Sequence, residues 1–205
     1  MRPTRITATI ASANAAGYAS AITGAIQTTA WTSIISSPND GLAHQTTLYE
    51  GTNLSGINIT VTGLDGNNRS FSEVIAGPNA TTTNLLNYFA SVTAISANAT
   101  LGASTMSCGW TGTAVTSTIP VNPYTHAGPA VIMTAGGTGY ASVRVDQTVT
   151  PVFNTSASAT NWYSLISLGS TGIGQGDAGI TAIRGFAGSA GTSSTITLDI
   201  AQSRD

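Results

Sequence analysis

Charged side chains are scarce in this sequence. Asp, Glu, Lys and Arg make up 7% of the 205 residues, against about a quarter in ordinary soluble domains. Lysine is absent, and all six basic residues are arginine. The net charge of −2 gives no basis for nucleic-acid binding, which needs clustered cations on phosphates. The surface must consist of Thr, Ser, Asn, Gln and Gly, and such neutral surfaces favour association because they repel one another weakly.

Other absences narrow the class of protein further. Cys108 is the single cysteine, so no internal disulfide can form, and a small buried thiol beside Trp110 is expected. No apolar run reaches the length of about 18 residues that a membrane-spanning helix needs. Near the N-terminus, Thr7, Thr9 and Ser12 interrupt the apolar core that a signal peptide would require.

No pattern of a catalytic or metal site is present. His44 and His126 lie among turn residues, which predicts an ordinary surface or interface role for both. Glu73 and Asp146 are isolated in sequence, so no carboxylate pair for glycoside hydrolysis stands out. The segment "GIGQGD" (172–177) lacks the lysine of a phosphate-binding loop. We therefore predict no enzymatic activity, no cofactor and no metal.

The stretch "INITVTGLDGNNRSFSEVIAG" (57–77) predicts a β-hairpin. Ile57, Ile59 and Val61 alternate with polar residues, which is the period of a strand with one buried face. Asp-Gly and Asn-Asn tolerate the backbone angles of the turn that follows. The apolar face is expected to pack on its own sheet. The neutral face, which includes Thr60, is expected to meet another subunit or to border solvent.

Short β-branched runs between Gly, Pro, Asn and Asp recur along the chain. They predict an all-β fold of two β-sandwich or jelly-roll-like domains with antiparallel strands. A proline-rich stretch at 109–130 marks the predicted boundary. Residues 1–118 would form an N-terminal arm plus sandwich, and residues 119–205 a C-terminal sandwich. A single sandwich with an internal crossover is the alternative.

Two segments are predicted to depart from this pattern. The segment "TTTNLLNYFASV" (81–92) is the best helix candidate, because its threonines could cap a helix in which Leu85, Leu86 and Phe89 share a face. The segment 155–179 is predicted to be a long loop with a short apolar element, ending in an irregular glycine-rich surface loop.

The first 17 residues are predicted to form an extended arm. They contain two arginines and few large apolar residues, so they could not offset a backbone ordering cost of about 1–2 kcal/mol per residue alone. Ile6 and Ile10 would face a neighbouring subunit, while Arg2 and Arg5 would seek its carboxylates or carbonyls. The alternative is that residues 5–10 form the first strand of the chain's own sandwich.

The segment "ITVTGLDGNNRSFSEVIAGPNATTTNLLNYFASVTAISA" (59–97) resembles a segment of virion structural proteins of tailed bacteriophages. The pattern is a strand ending in Thr-Gly, an Asp/Gly turn, a strand carrying Glu73, then Gly-Pro-Asn, and a Tyr-Phe pair before "SVTAIS". The C-terminal half is similar to such proteins in "YASVRV", in Asn161-Trp162 and in "ITAIRGFAGSAGTSSTITLDIAQ". The resemblance implies a β-domain family and supplies no active-site residues.

The resemblance implies a non-enzymatic protein of the virion, with a capsid decoration or cement protein that stabilises the head as the preferred interpretation. A short-tail, head–tail connector or tail-fibre component is the alternative within the phage, and a carbohydrate-binding or adhesive β-module is the alternative of another class. The expected partners are the major capsid protein, or tail or portal proteins, and further copies of this chain, without nucleic acid or membrane. The candidate subunit-interface residues are Arg2, Arg5, Ile6, Ile10, Thr60, Tyr124, Arg144 and Arg184.

Overall fold

The chain folds into antiparallel β-sheets. The computed structural model describes residues 3–24, 31, 34, 37–124, 128–137, 142–151, 160–168, 171–188 and 194–202. No helix occurs among these residues, and the predicted all-β fold class is confirmed. The strands are β1 (Thr4–Thr9), β2 (Asn14–Gly24), β3 (Ala43–Tyr49), β4 (Asn58–Leu64), β5 (Ser70–Ala76), β6 (Thr82–Phe89), β7 (Ser91–Ala97), β8 (Gly102–Val115), β9 (Ile119–Pro120), β10 (Ala130–Gly136), β11 (Ser142–Thr148), β12 (Tyr163–Leu168), β13 (Thr171–Gln175), β14 (Ala182–Gly188) and β15 (Thr195–Ala201).

The chain divides into two compact units. Residues 1–12, 40–42 and 112–205 make up one, called the terminal unit here, and residues 13–39 and 43–111 make up the other, the inserted unit. The chain leaves the inserted unit for the last time between residues 111 and 112, which is close to the predicted boundary at 118. The first 12 residues, however, belong with the C-terminal part of the chain, because β1 pairs with β15. A jelly-roll order of connections stays a prediction.

The terminal unit is a β-sandwich-like pair of sheets. The first sheet has the order β1-β15-β10-β13. In the second sheet, β11 lies between β12 and β14, and β14 also pairs with β9 and with the end of β8. The inner faces contribute an aliphatic core, because alternate residues of each strand point inward. Its buried residues include Val131, Met133, Val145, Ile183 and Leu198.

The N-terminal segment is a strand of the chain's own sheet. All six residues of β1 pair with β15, and the Ile10 N–H donates to the Ser194 carbonyl at 2.7 Å. Ile6 packs against the core of the terminal unit and Ile10 is buried within it. These contacts correct the prediction of an arm that orders against a neighbouring subunit. The segment gains its order from a strand that is distant in sequence, since the paired residues Thr7 and Thr197 are 190 positions apart.

The inserted unit is also built from two sheets. One contains β6, β3, β8 and β2, and the other has the order β5-β4-β7. Aromatic side chains lie in the core between them, together with aliphatic ones. The rings of Phe71 and Phe89 stack with centroids 4.3 Å apart. The rings of Tyr18 and Trp110 meet edge to face, with centroids 4.9 Å apart. The Tyr18 hydroxyl donates to the Phe89 carbonyl at 3.0 Å, so its buried polar atom is satisfied.

The predicted hairpin at 57–77 is confirmed as β4 and β5. Ile59 and Val61 are fully buried, and β4 pairs with β5 on one side and with β7 on the other. Asp65 builds the turn, since its Oδ1 accepts the backbone N–H groups of Asn67 and Arg69 at 2.8 and 2.9 Å. Its second oxygen accepts Arg69 Nε at 2.7 Å. The aliphatic row therefore faces the core, as the alternation predicted.

The helix prediction for 81–92 is wrong. The segment forms β6, followed after one residue by the start of β7. Leu85 and Phe89 are both buried, and their even spacing of four also fits the alternation of a strand. Pairing with β3 outweighs the weak local helix preference, as tertiary context often does.

The prediction of a long loop at 155–179 is also wrong for its described part, except that its short apolar element, Trp162 to Leu168, corresponds to β12. Residues 163–168 and 171–175 are β12 and β13, and β13 pairs along its whole length with β10. A Cβ atom at Gly174 would lie 1.9 Å from Ile166 Cδ1. A larger residue would force the Ile166 side chain to move, so the glycine suits the close approach of β12 and β13 rather than a turn.

Candidate functional site

The few charged side chains are engaged inside the chain. Each arginine in the described part of the chain pairs with an aspartate: Arg5 with Asp199, Arg69 with Asp65, and Arg144 and Arg184 with Asp146. The remaining described carboxylates also accept hydrogen bonds within the chain, namely Asp40, Glu50, Glu73 and Asp177. The outward faces of the sheets are consequently close to neutral.

A cluster of two arginines around one aspartate lies on the outer face of the β12-β11-β14 sheet. Asp146 is 1% exposed. Its Oδ1 accepts Arg144 Nε at 2.7 Å, and its Oδ2 accepts Arg184 Nη2 at 3.3 Å. The guanidinium carbons lie over aromatic rings, Arg144 at 3.7 Å from the centroid of Phe186 and Arg184 at 4.1 Å from that of Trp162. Two cations thus share one buried carboxylate, with aromatic faces beneath them.

The outer face of the β1-β15-β10-β13 sheet is made mainly of threonine. Thr7, Thr197 and Thr134 lie in register across three strands, and the hydroxyl oxygens of the first two are 3.1 Å apart. On the same face, Ile132 and Ile173 form a cross-strand pair. Their side chains are 40% and 76% exposed, respectively. This face therefore combines threonine side chains and the internally paired ions Arg5 and Asp199 with an exposed aliphatic pair.

The outer face of the β5-β4-β7 sheet is similar in the inserted unit. Val74, Thr60 and Ser96 lie in one row across the three strands, and Ser72, Thr62 and Ala94 in the next. Val74 is 63% exposed. None of these six residues carries a charge.

The edge strand β6 carries a bulge that side chains hold in place. Between two paired positions, the single β3 residue Thr46 faces three residues of β6. The Glu73 carboxylate accepts the N–H groups of Leu86 and Asn87 at 2.7 and 2.9 Å, and Gln45 Nε2 donates to the Leu85 carbonyl at 3.1 Å. Leu86 is 84% exposed. The backbone groups of the bulge are therefore satisfied, and this stretch of edge is less available for strand addition.

The candidate interface residues of the terminal unit occupy very different environments. Ile6 and Ile10 pack in the core of their own chain, which removes them as contacts to a neighbour. Arg5 is exposed but is paired with Asp199 of its own chain at 2.6 Å, in place of a neighbour's carboxylate. Tyr124 is 89% exposed, and Arg2 lies outside the described residues.

Three further candidates lie on outward sheet faces. Thr60 is half-buried in the middle row of the β5-β4-β7 sheet. Arg144 and Arg184 are brought together by Asp146. The interface role of these residues stays a prediction.

His44 and Cys108, the histidine and the cysteine in the described part of the chain, are buried in the protein interior. His44 is fully buried, so the predicted surface or interface role is wrong for it; its Nδ1 lies 3.0 Å from the Thr111 carbonyl oxygen. His126 lies outside the described residues. Cys108 is buried as expected, and burial raises the pKa of its thiol. Within the described ranges, no group of three or more His, Cys, Asp or Glu side chains is placed to hold a metal ion, and no helix is long and apolar enough to cross a membrane.

Sequence reasoning missed Asp146 as the centre of a cluster. The signal was partly present, because Arg144 and Asp146 are two residues apart and side chains at that spacing share one face of a strand. Arg184 could not be assigned in the same way. It joins the cluster through the pairing of β11 with β14, which places it opposite Asp146.

Comparison with protein-family models, with curated proteins and with solved structures gave no match.

Proposed function

We propose that this chain is a non-enzymatic structural subunit of a tailed-phage virion that decorates the capsid and stabilises the head. The observation that carries the proposal is the internal use of charge. Described arginines and carboxylates are bound within the chain, which leaves the outer faces close to neutral except for one excess positive charge at the Arg144–Asp146–Arg184 cluster. Such faces suit permanent packing in an assembly better than free diffusion at high concentration, because net charge is what keeps proteins apart.

The exposed aliphatic side chains support contacts through these faces. Val74 lies among threonine, serine and alanine, whereas Ile132 and Ile173 lie beside threonines and the Arg5–Asp199 ion pair, whose charges balance. An apolar centre with a polar, uncharged rim is the common anatomy of a protein interface. The proposed partners are the major capsid protein and further copies of this chain. The resemblance of residues 59–97 to phage virion proteins supplies the biological setting.

Quantitative mass spectrometry of purified phage particles tests the proposal. Capsid decoration requires a copy number comparable to that of the major capsid protein, because the subunit would follow the symmetry of the shell. A copy number equal to a small multiple of the rotational symmetry of the tail would assign the chain to the tail instead. Absence from the particles would overturn a virion role.

A glycan array probed with the isolated protein separates the adhesive alternative. Exposed tyrosines such as Tyr124 and Tyr163 are the side chains that could stack on sugars. A decoration protein should show no saturable glycan binding. Specific binding, together with a low copy number, would replace decoration by an adhesive role.

A further inference from the structure

Arg144 is held in one orientation on the outer face of its sheet. Its Nε donates to Asp146 Oδ1 at 2.7 Å, and its guanidinium carbon lies 3.7 Å from the centroid of the Phe186 ring. The hydrogen bond fixes the direction of the guanidinium plane, and the ring supports one of its faces. Little rotamer freedom is therefore left to lose when this side chain binds a ligand.

The outer end of this guanidinium has unused hydrogen-bonding capacity. The two Nη atoms of Arg144 make no hydrogen bond within the part of the chain that the structure describes, and the side chain is 37% exposed. Asp146 carries a single negative charge and is paired with both Arg144 and Arg184, so it does not neutralise the two arginines. Two guanidinium groups and one carboxylate leave one excess positive charge at this point on a sheet.

The geometry points to a carboxylate as the ligand of Arg144. We propose that Arg144 binds an aspartate or glutamate side chain of another virion protein through its two Nη atoms. Paired N–H groups of a guanidinium match the two oxygens of a carboxylate. A nucleic-acid backbone would need several clustered cations, and the cluster offers one excess charge. Phe186 is 7% exposed, so it presents no open ring face to a sugar.

The partner is a different protein rather than a second copy of this chain. Each carboxylate within the described residues already accepts a hydrogen bond from its own chain, so a second copy would break an internal contact to supply one. Asp205 is the single acidic side chain outside those residues. The inference rests on the proposed function, since it assigns the carboxylate to a virion partner.

The test is rebinding of purified protein to particles that lack it. Wild type, Arg144→Gln and Arg144→Lys are titrated onto particles from a phage deleted for this protein, and the bound fraction is measured by co-sedimentation. Removing one partner of a bound charge pair should weaken binding roughly 30-fold or more in Arg144→Gln. Arg144→Lys keeps the charge without the paired donors and should recover only part of the loss. Wild-type binding should weaken as salt increases.

Arg69→Gln is the matched control, because it removes an arginine that is paired with Asp65 in the turn between β4 and β5 and is not a candidate interface residue. Its binding should stay within about twofold of wild type once the melts show that the variant is folded. Thermal melts of all variants establish that they fold. If Arg144→Gln folds and binds as wild type does, the carboxylate assignment is wrong while the virion role stands. If wild-type protein does not bind the particles, the proposed function fails and this inference fails with it.

Discussion

The two units fill their cores and use their charges differently. In the inserted unit, aromatic rings such as Phe89 and Trp110 lie in the core, and the carboxylates of Asp65 and Glu73 bind backbone N–H groups of a turn and a bulge. In the terminal unit, the buried core residues among those described are aliphatic. Its aromatic residues Phe186 and Trp162 instead lie under arginines on a sheet.

This difference shows that the few charged side chains of a charge-poor protein can have distinct structural roles. A carboxylate that binds backbone N–H groups secures an irregular stretch of chain, because buried or half-buried donors need partners. An arginine that rests on an aromatic ring keeps its charge near the surface and its plane fixed. The inserted unit thus uses Asp65 and Glu73 to stabilise its backbone. The terminal unit uses Asp40 in the same way, and it also presents arginines on aromatic rings.

The largest expected effect comes from placing a charge in the core of the inserted unit. Ile59→Asp should unfold this unit, because Ile59 is fully buried and an unpaired carboxylate there costs several kcal/mol. Thr60→Asp is the matched control on the opposite face of β4 and should retain the fold. Thermal melts followed by circular dichroism compare the two variants. Identical melts for Ile59→Asp and wild type would show that the assignment of faces is incorrect.

The next effect compares an aromatic residue inside one unit with one outside the core of the other. Phe89→Ala should lower the free energy of unfolding by roughly 3–5 kcal/mol, since it opens a cavity in a packed core. Phe186→Ala should cost somewhat less, about 2–4 kcal/mol, because the buried Phe186 ring packs against Arg144 rather than within the aliphatic core cluster. Chemical denaturation measures both. Equal losses would contradict the contrast between the two units.

A smaller effect concerns the carboxylate that holds the bulge. Glu73→Ala removes the acceptor for the N–H groups of Leu86 and Asn87 and should cost about 1–2 kcal/mol. Ser72→Ala, on the opposite face of β5, loses one hydroxyl contact to Thr62 and should cost less. Hydrogen exchange of the Leu86 and Asn87 amides is the direct measurement. Unchanged protection of these amides in Glu73→Ala would rule out a role for Glu73 in the bulge.

The smallest effect is expected for the exposed ion pair of the terminal unit. The hydrogen bond from Arg5 lowers the pKa of the Asp199 carboxyl. A carboxyl whose pKa is lower in the folded state stabilises the fold above its unfolded pKa of about 3.9, and this contribution disappears as the pH falls through the folded pKa. Arg5→Gln should therefore melt slightly below wild type at neutral pH, and the difference should vanish in acid.

Asp199→Asn is the control for this pair and should remove the same pH dependence. High salt should also reduce the difference between Arg5→Gln and wild type, because the pair is exposed. A difference in melting temperature that persists at acid pH would point to a cause other than this ion pair.

Local alternation was sufficient to predict some elements and insufficient for others. The strand with Ile59 and Val61 follows from its period of two. The spacing of Leu85 and Phe89, by contrast, fits a helix equally well. It becomes a strand because β3 pairs with it across a bulge, and no nearby residue signals that pairing.

Long-range pairing explains the other failures. Ile6 and Ile10 lack a local partner, and their environment depends on β15. The Arg144–Asp146–Arg184 cluster similarly depends on the register of β11 with β14. The sequence supplied the candidate arginines, whereas their common aspartate required the fold.

The pairing of β1 with β15 has a consequence for the order in which the protein folds on the ribosome. All strands of the inserted unit are available once residue 111 has been synthesised, so its sheets can form early. β1 precedes every strand of the inserted unit in the chain, yet its partner spans residues 195–201. β1 therefore stays unpaired until the residues between the two strands have been synthesised and β15 is available. During that interval its exposed edge is a site at which the nascent chain can aggregate.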